Sequence, residues 1–297
     1  MSLIQSVTRP SKKIFPKPDL DMEIKGIRLS LERRTYVMGV LNVTPDSFSD
    51  GGKFFDKTAA IEHGLAMEAD GADIIDVGGE STRPGAEDVS LDAELERVIP
   101  VIESLAKRVK IPISVDTRKS KVAEEAIDAG AVIVNDVSGL RFDPAMASVI
   151  FKQGAAVIIM HSKGEPNTMQ LAPAYKDLIS EIILSLKESM HLAADAGIPE
   201  KNTIIDPGIG FSKTVEHNIE ILNRLDEFKI LSRPICVGTS RKSFIGKILG
   251  TSDANERMAG TLATSVLAIM KGASIIRVHD VKEMIQAARV IDAIRVS

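Results

Sequence analysis

Short apolar runs alternate with longer segments of helical spacing from residue 37 onward. The apolar runs cover residues 37–41, 74–77, 113–115, 132–134, 156–160, 203–205, 235–237 and 274–278. The segments with helical spacing are 58–69, 91–109, 120–129, 175–196, 215–225, 254–270 and 281–294. This alternation is typical of βαβ units, and the nearly continuous apolar character of the runs predicts parallel strands buried on both faces.

The number of strand–helix units predicts how the sheet is arranged. Eight such units favour an α/β fold in which the sheet closes into a (β/α)8 TIM barrel over an open doubly wound sheet. Residues 22–36 alternate apolar and polar positions around Gly26, which predicts a β-hairpin closing the bottom, amino-terminal mouth of the barrel. We therefore expect a single barrel domain over 21–297, preceded by a flexible tail at 1–20.

Composition and charge exclude several classes of protein. Hydrophobic residues make up 44% and charged residues 26% of the chain, which is enough apolar material for a large core and excludes general disorder. A net charge of -4 argues against a nucleic-acid partner. Membrane spanning needs about 18 consecutive apolar residues, and no run approaches that length. The single cysteine, Cys236, lies in an apolar run and indicates a reduced thiol in a cytoplasmic protein.

Polar residues follow most of the apolar runs. They are Asn42, Glu80, Asp116, Asn135, Asp136, His161, Asp206, Lys242, Arg277 and His279. The carboxyl ends of barrel strands face the active site, so we expect these groups to converge at one mouth. Asp116, Asn135 and Asp206 would be costly there without partners, and a flat heterocycle with two adjacent N–H donors would satisfy them. Lys242 could then donate to a ring carbonyl or nitrogen.

A second group of residues predicts an anion site. Arg277 and His279 occupy alternate positions of an extended segment and therefore face the same side. Together with Asn42 from the first loop and Thr82 and Arg83 from the second, they would suit a diphosphate. The side-chain carbonyl of Asn42 could also bind Mg2+, which usually keeps several waters and relies on substrate phosphates.

Two glycine- and serine-rich loops, 44–52 and 78–85, would lie at the same mouth. Their composition permits closure over a ligand. Asp50 and Arg83 could form an ion pair when both loops close, and Phe48 would supply an aromatic wall. His161 fits packing or helix capping as well as it fits a functional role.

Eight motifs resemble those of the dihydropteroate synthases, the pterin-binding enzymes of the folate pathway that sulfonamides target. They are MGVLNVTPDSFSDGG at 38–52, DVGGESTRPGA at 76–86, SVDTRK at 114–119, VNDVSG at 134–139, MHSKGEPNTMQ at 160–170, DPGIGF at 206–211, GTSRKSFIG at 238–246 and RVHD at 277–280. They occur in the family's order. Two positions depart from the pattern, since Ser162 and Ser212 stand where methionine and glycine are frequent in relatives.

The resemblance implies a transferase that condenses 6-hydroxymethyl-7,8-dihydropterin diphosphate with 4-aminobenzoate and releases pyrophosphate, with Mg2+ as cofactor. The pterin would be held by Asp116, Asn135, Met160, Asp206, Lys242 and Arg277. The diphosphate would be held by Asn42, Thr82, Arg277 and His279, with Asn42 also a metal ligand. The aminobenzoate pocket would consist of Phe48, Pro84, Phe211, Lys242 and Ser243. Catalytic roles would fall to Asp116, Asp206, Lys242, Asp50 and Arg83.

Two alternatives share the pterin-binding barrel. One is a methyltransferase domain that passes the methyl group of methyltetrahydrofolate to a corrinoid; it needs no diphosphate clamp, and the Arg277–His279 pair argues against it. The other is a non-catalytic pterin-binding paralogue, although the diphosphate and loop residues are all present in the sequence. The resemblance further implies small-molecule substrates and a homodimer formed through the outer barrel helices.

Overall fold

The computed structural model describes residues 20–44, 57–80, 88–163 and 174–296. The strands are β1 (Met22–Ile24), β2 (Ile27–Leu29), β3 (Tyr36–Asn42), β4 (Ile74–Gly78), β5 (Ile113–Asp116), β6 (Ile133–Asp136), β7 (Ala156–Met160), β8 (Thr203–Asp206), β9 (Cys236–Val237) and β10 (Ile275–Val278). The helices are α1 (Lys57–Ala69), α2 (Leu91–Ala106), α3 (Ser120–Asp128), α4 (Met146–Gln153), α5 (Leu178–Asp195), α6 (Val215–Asn223), α7 (Ser243–Leu249), α8 (Met258–Lys271) and α9 (Val281–Val296).

Strands β3 to β10 form one sheet of eight parallel strands. Their order is β8-β7-β6-β5-β4-β3-β10-β9, which is chain order around a circle. The circle closes between β8 and β9, because Ile205 forms a parallel bridge with Ile235 and its N–H donates to the Pro234 carbonyl oxygen at 3.0 Å. The predicted (β/α)8 barrel is therefore confirmed.

The predicted elements agree with the observed ones in most places. All eight strands lie where the apolar runs predicted them. Six predicted helices end within three residues of the observed bounds; in the seventh, the first turn is a 3-10 helix at Asn255–Arg257, before α8. Helices α4 and α7 were not predicted. Each has about two turns, which is too short to display a helical period in the sequence.

The core has two layers, one outside and one inside the sheet. Outward residues of the strands, such as Val37, Ile75 and Val115, pack with apolar residues of the helices. A smaller inner cluster joins first residues of strands, including Tyr36, Ile74 and Ile133, to hairpin residues Met22, Ile24 and Leu29. The hairpin β1–β2 therefore closes the amino-terminal end of the barrel, as predicted.

The predicted tail at 1–20 lies outside the described residues except for Leu20. The interpretation of 21–297 as one domain stays a prediction. Within the described ranges, no helix is both long and apolar enough to cross a membrane.

Replacing a buried hairpin side chain tests the role of the hairpin as a plug. Ile24 is 1% exposed, so Ile24→Ala should lower the free energy of unfolding by about 2–5 kcal/mol through lost burial and a residual cavity. The neighbouring Glu23 is exposed, and Glu23→Ala should change the free energy of unfolding by less than about 0.5 kcal/mol. Urea denaturation followed by circular dichroism measures both. Equal stabilities would show that the hairpin is not packed into the barrel.

Candidate active site

Side-chain alternation along the strands decides which polar groups enter the barrel. In β10, Ile275 belongs to the inner cluster, whereas Ile276 and Val278 pack outward against the helices. Arg277 must therefore point inward, since successive strand residues face opposite sides. The same alternation turns inward the residues near the carboxyl ends of the other strands: Asn42, Asp76, Asp116, Asn135, Met160 and Asp206. Apart from Met160, these residues and Arg277 form a polar layer above the apolar plug.

Arg277 forms two ion pairs inside this layer. Its Nε donates to Asp76 Oδ2 at 2.6 Å and its Nη2 donates to Asp116 Oδ2 at 2.6 Å. Although burial disfavours the charge on Arg277, the two carboxylates raise its pKa above the usual value. Its side chain remains 21% exposed, so the guanidinium lies at the boundary between the buried acids and the mouth.

Asp76 is a site residue that the sequence analysis missed. It is fully buried, and its Oδ2 accepts hydrogen bonds from both Arg277 Nε and Asn135 Nδ2, the latter at 3.0 Å. It lies inside the apolar run 74–77 rather than after it. A single acid in an otherwise apolar strand is an unfavourable residue to bury unless it is paired.

Burial raises the pKa values of two predicted site acids. For Asp116 desolvation raises the pKa to about 7, while the charge of Arg277 opposes the shift. For Asp206 desolvation also raises the pKa, against a hydrogen bond from the Gly208 N–H and the charge of Lys242. Cationic or N–H donor groups of a ligand would favour the ionised form of both acids.

Asn135 and Asp136 are adjacent in β6 but have different roles. Asn135 points inward beside Asp116, to which its backbone is registered. The Asp136 carboxylate instead accepts hydrogen bonds from Ser138 and from the Leu140 N–H, which holds the turn after the strand. Of the two, only Asn135 belongs to the polar layer.

Lys242 lies between β9 and α7, and its ammonium stands 4.0 Å from the centre of the Phe211 ring. Ser243 is the first residue of α7. The preceding Arg241 forms a bidentate ion pair with Asp280, donating from Nε at 3.1 Å and from Nη2 at 2.5 Å. This pair joins the β9–α7 connection to the end of β10 and so fixes Lys242 relative to Arg277.

His279 is held by Ser240. Their side chains are 3.0 Å apart between Ser240 Oγ and His279 Nδ1, and the His279 N–H donates to the same hydroxyl at 3.2 Å. The hydroxyl accepts from the backbone N–H, and it can donate to Nδ1 in the tautomer of His279 that carries its ring proton on Nε2. Asn42 ends β3, between the strands that carry Asp76 and Arg277.

The turn that begins at Asp206 lies against the end of β7. Gly208 has a positive φ of +73°, and a Cβ atom there would be 1.9 Å from the His161 carbonyl oxygen. Only glycine fits this conformation and this approach. The His161 N–H donates to the Asp206 carbonyl oxygen at 2.9 Å. The turn carrying Asp206 and Phe211 is therefore fixed to His161 by backbone contact.

The two departures from the family pattern meet in space. Ser162 Oγ and Ser212 Oγ are 3.5 Å apart. Ser212 is buried at a positive φ of 52°, and its hydroxyl accepts from the Lys163 N–H at 3.0 Å and donates to the Lys163 carbonyl oxygen. The hydroxyl thus links the β7 and β8 connections, which a glycine could not do.

His161 is a buried partner of Lys213. Their side-chain nitrogens Nδ1 and Nζ are 3.0 Å apart. Desolvation and the neighbouring cation lower the pKa of His161 to about 2, so the imidazole is neutral. Of the roles left open for His161, packing describes it better than helix capping.

Five predicted site residues lie outside the described ranges: Phe48, Asp50, Thr82, Arg83 and Pro84. The residues on either side of 81–87 are described. Arg118 forms ion pairs with Glu80 at 3.0 Å and with Asp88 at 2.7 Å, and so connects the two flanks of that segment.

The paired acid Asp76 provides a direct test of this arrangement. Asp76→Ala should lower the free energy of unfolding by about 3 kcal/mol, because Arg277 loses one of two buried carboxylate partners. The control is Asp226→Ala, which removes the half-exposed partner of Lys271 and should cost less than about 1 kcal/mol. Chemical denaturation measures both free energies. If the free energy of unfolding of Asp76→Ala is unchanged, Asp116 alone holds Arg277.

Comparison with known proteins agrees with this geometry. The family described as pterin binding enzyme matches residues 38–279. The dihydropteroate synthase of Bacillus subtilis (strain 168) is 50% identical over 269 residues, covering 91% of this chain and 92% of the relative. The crystal structure of Yersinia pestis dihydropteroate synthase with a sulfonamide drug has a TM-score of 0.89 at 42% identity, covering 93% of this chain and 100% of that one. Xanthomonas albilineans dihydropteroate synthase with 4-aminobenzoic acid has a TM-score of 0.88 at 41% identity, covering 94% and 99%. The chain therefore belongs to the family of pterin-binding enzymes and, within it, to the dihydropteroate synthases.

Proposed function

We propose that the protein condenses 6-hydroxymethyl-7,8-dihydropterin diphosphate with 4-aminobenzoate to give 7,8-dihydropteroate and pyrophosphate. The observation that carries this proposal is the inward polar layer, where Asp116, Asn135 and Asp206 share the barrel mouth with the guanidinium of Arg277. The relatives that match are dihydropteroate synthases, one of them crystallised with 4-aminobenzoic acid. They favour this reaction over the methyltransferase alternative.

The inward acids and amide recognise the pterin. An amidine-like edge with two adjacent N–H groups matches the fork of a carboxylate, and Asp206 offers such a fork at the end of β8. Asn135 can donate and accept at the ring, and Asp116 lies beside it. Met160, two residues beyond the inward Ile158 of β7, packs against the ring face. Lys242 donates to a ring carbonyl or nitrogen.

The diphosphate lies above the polar layer, toward the solvent. Arg277 reaches it from the edge of the polar layer, and His279 contributes its Nε2 proton. Thr82, which lies outside the described residues, is part of the same clamp in this proposal. The positive charge that holds the diphosphate comes from these few side chains, because the chain as a whole is acidic.

Mg2+ fits this site as an ion carried by the substrate. Among the described residues the proposed metal ligand is Asn42, whose inward position at the end of β3 offers one neutral carbonyl oxygen. A magnesium ion that binds phosphates and water needs only one or two protein ligands. When bound, Mg2+ supplies positive charge to the leaving diphosphate.

The reaction requires the protein to stabilise charge rather than to form a covalent bond. The bond between the pterin methylene carbon and the diphosphate oxygen breaks, and the electron pair leaves with the diphosphate. Positive charge then spreads into the pterin, next to the carboxylates Asp116 and Asp206. Arg277 stabilises the departing anion. The arylamine nitrogen forms the new bond to the methylene carbon and loses one proton.

The 4-aminobenzoate binds between the pterin and the two loops. Phe211 and Lys242 form one wall, since the ammonium lies 4.0 Å from the ring centre, and Ser243 stands next to Lys242. Phe48 and Pro84 complete the pocket in this proposal, and an Asp50–Arg83 ion pair holds the loops over it. These four residues lie outside the described ranges.

A homodimer and a cytoplasmic location belong to the same proposal. Exposed apolar side chains on the outer helices support the dimer, namely Met270 on α8 and Val290 and Ile294 on α9. The buried, unpaired thiol of Cys236 fits a reducing compartment.

Product formation by purified protein tests the proposed reaction. Pyrophosphate release should require both substrates together and should stop when EDTA removes Mg2+, then recover when Mg2+ is restored in excess. A coupled phosphate assay after pyrophosphatase treatment measures it. Binding of the pterin diphosphate without pyrophosphate release would identify the non-catalytic paralogue instead.

Two variants separate recognition of the pterin from recognition of the diphosphate. Asp206→Asn should weaken binding of 6-hydroxymethyl-7,8-dihydropterin and of its diphosphate alike, by about 1.5–3 kcal/mol, because a charged acceptor is lost. Arg277→Ala should mainly weaken binding of the diphosphate. Binding of both ligands should also weaken as the pH falls from 8 to 6, because the pKa of Asp116, raised by burial to about 7, lies in this range.

Calorimetry with the two ligands at each pH gives all of these values. The control is Asp226→Asn, an exposed acid that pairs with Lys271, which should match the unmodified protein. If both ligands bind Asp206→Asn and Arg277→Ala normally, the assignment of these residues is wrong.

A further inference from the structure

Lys213 is a buried lysine that the proposed reaction does not use. The residue is 4% exposed. The ammonium nitrogen lies 3.0 Å from His161 Nδ1 and donates to the Phe211 carbonyl oxygen at 2.9 Å. Both partners are neutral, although burying an ammonium group is unfavourable. The burial of this side chain therefore indicates a role other than packing.

The position of Lys213 links two active-site elements. Its donation to the Phe211 carbonyl closes the turn that starts at Asp206, while its contact with His161 fastens that turn to the end of β7. The neighbouring Ser212 adds hydrogen bonds to Lys163, and the Tyr175 hydroxyl donates to the Ser212 carbonyl oxygen at 3.0 Å. The side chain of Lys213 is the part of this connection that reaches into the interior.

The turn held in this way carries two groups of the proposed site. Asp206 stands at its start, and Phe211 lies near its end with its ring next to the Lys242 ammonium. Gly210 leaves little space there, because a Cβ atom on it would be 2.9 Å from Lys242 Cδ. A shift of the turn would therefore move the Phe211 ring against Lys242 and change the aminobenzoate pocket.

We propose that Lys213 is a positioning residue: its contacts with His161 Nδ1 and with the Phe211 carbonyl oxygen hold Phe211 in the aminobenzoate pocket. The proposal rests on the proposed function. It also assigns a tautomer to His161, because a ring nitrogen that accepts a hydrogen bond from Lys213 carries no proton. The His161 proton is then on Nε2.

Several charged groups face this part of the protein and must be considered together. Lys213 is in the field of Asp206 and Lys242, and burial lowers the pKa of Lys213 to about 7. Asp206 is faced by Lys242, Lys213 and Arg277, each of which lowers its pKa against the effect of burial. His161 is faced by Lys213, Arg141 and Lys163. Below about pH 7, where Lys213 is charged, removal of this charge should thus raise the pKa of Asp206 and that of His161.

Steady-state kinetics on three variants of the full chain test the proposal. Lys213→Met should raise KM for 4-aminobenzoate at least about tenfold, with a smaller effect on affinity for the pterin diphosphate at pH 8. Lys213→Gln keeps a donor and should recover part of this KM. Both variants lack the charge, so the acid limb of pterin diphosphate binding should move to higher pH in both. A merely structural role would not move that limb.

Lys163→Met is the matched control. Lys163 is also close to His161 in the chain, but its side chain is 55% exposed and pairs with Glu181. This variant should keep the unmodified KM and pH profile. If the unmodified protein releases no pyrophosphate, the proposed function fails; if it does and Lys213→Met has a normal KM and pH profile, the role of Lys213 is refuted.

Nitrogen NMR of the unmodified protein tests the proposal without any variant. The His161 imidazole should stay neutral from pH 8 to pH 5, with its proton on Nε2. A proton on Nδ1, or protonation of His161 near pH 6, would overturn the proposal even if Lys213→Met fails to fold.

Discussion

The side chain of Arg277 holds together two carboxylates that neighbouring strands bury near each other. Asp76 in β4 and Asp116 in β5 both face the interior, and the charge of Asp76 opposes ionisation of Asp116. Arg277 reaches both from β10, two strands away from β4 in the sheet. The ion pairs relieve this repulsion and place the Arg277 guanidinium at the boundary between the polar layer and the barrel mouth. The residues proposed to bind the pterin and those proposed to bind the diphosphate are therefore parts of one electrostatic unit.

This unit is built on a barrel whose other layers are apolar. The hairpin fills the bottom with Met22, Ile24 and Leu29, and the helices cover the outward strand residues. Most of the buried apolar core thus lies in layers that do not contact substrate. The polar layer can keep acids with raised pKa values because the burial that raises them is provided by the surrounding core.

Much of the fold could be predicted from the sequence because each strand lies in a mostly apolar run that is bounded by polar residues. Helices α4 and α7 could not, since each is too short for a helical period to appear. The predicted roles of Asp116, Asn135 and Asp206 followed from their position after a run, that of Arg277 from its alternation with His279, and all four from the family motifs. Arg277 in contact with Asp116 was not foreseen, because pairing across a barrel depends on curvature that no local pattern shows.

The missed residues were missed for identifiable reasons. Asp76 was hidden inside an apolar run, and Lys213 follows a motif at a position where nothing in the sequence indicates burial. Ser240 and Asp280, which hold His279 and Arg241, act only through contacts between separate loops. Such pairs connect positions 39 residues apart, a separation that gives no local signal.

The central claim is that separate strands present acids and an amide to one planar edge of the pterin. A crystal structure of the protein with 6-hydroxymethyl-7,8-dihydropterin diphosphate tests it most directly. The account predicts N–O distances of about 2.7–3.2 Å from the amidine edge to Asp206, contacts of the ring with Asp116 and Asn135, and the diphosphate beside Arg277 and His279. A pterin bound elsewhere, or with that edge turned to solvent, would contradict it.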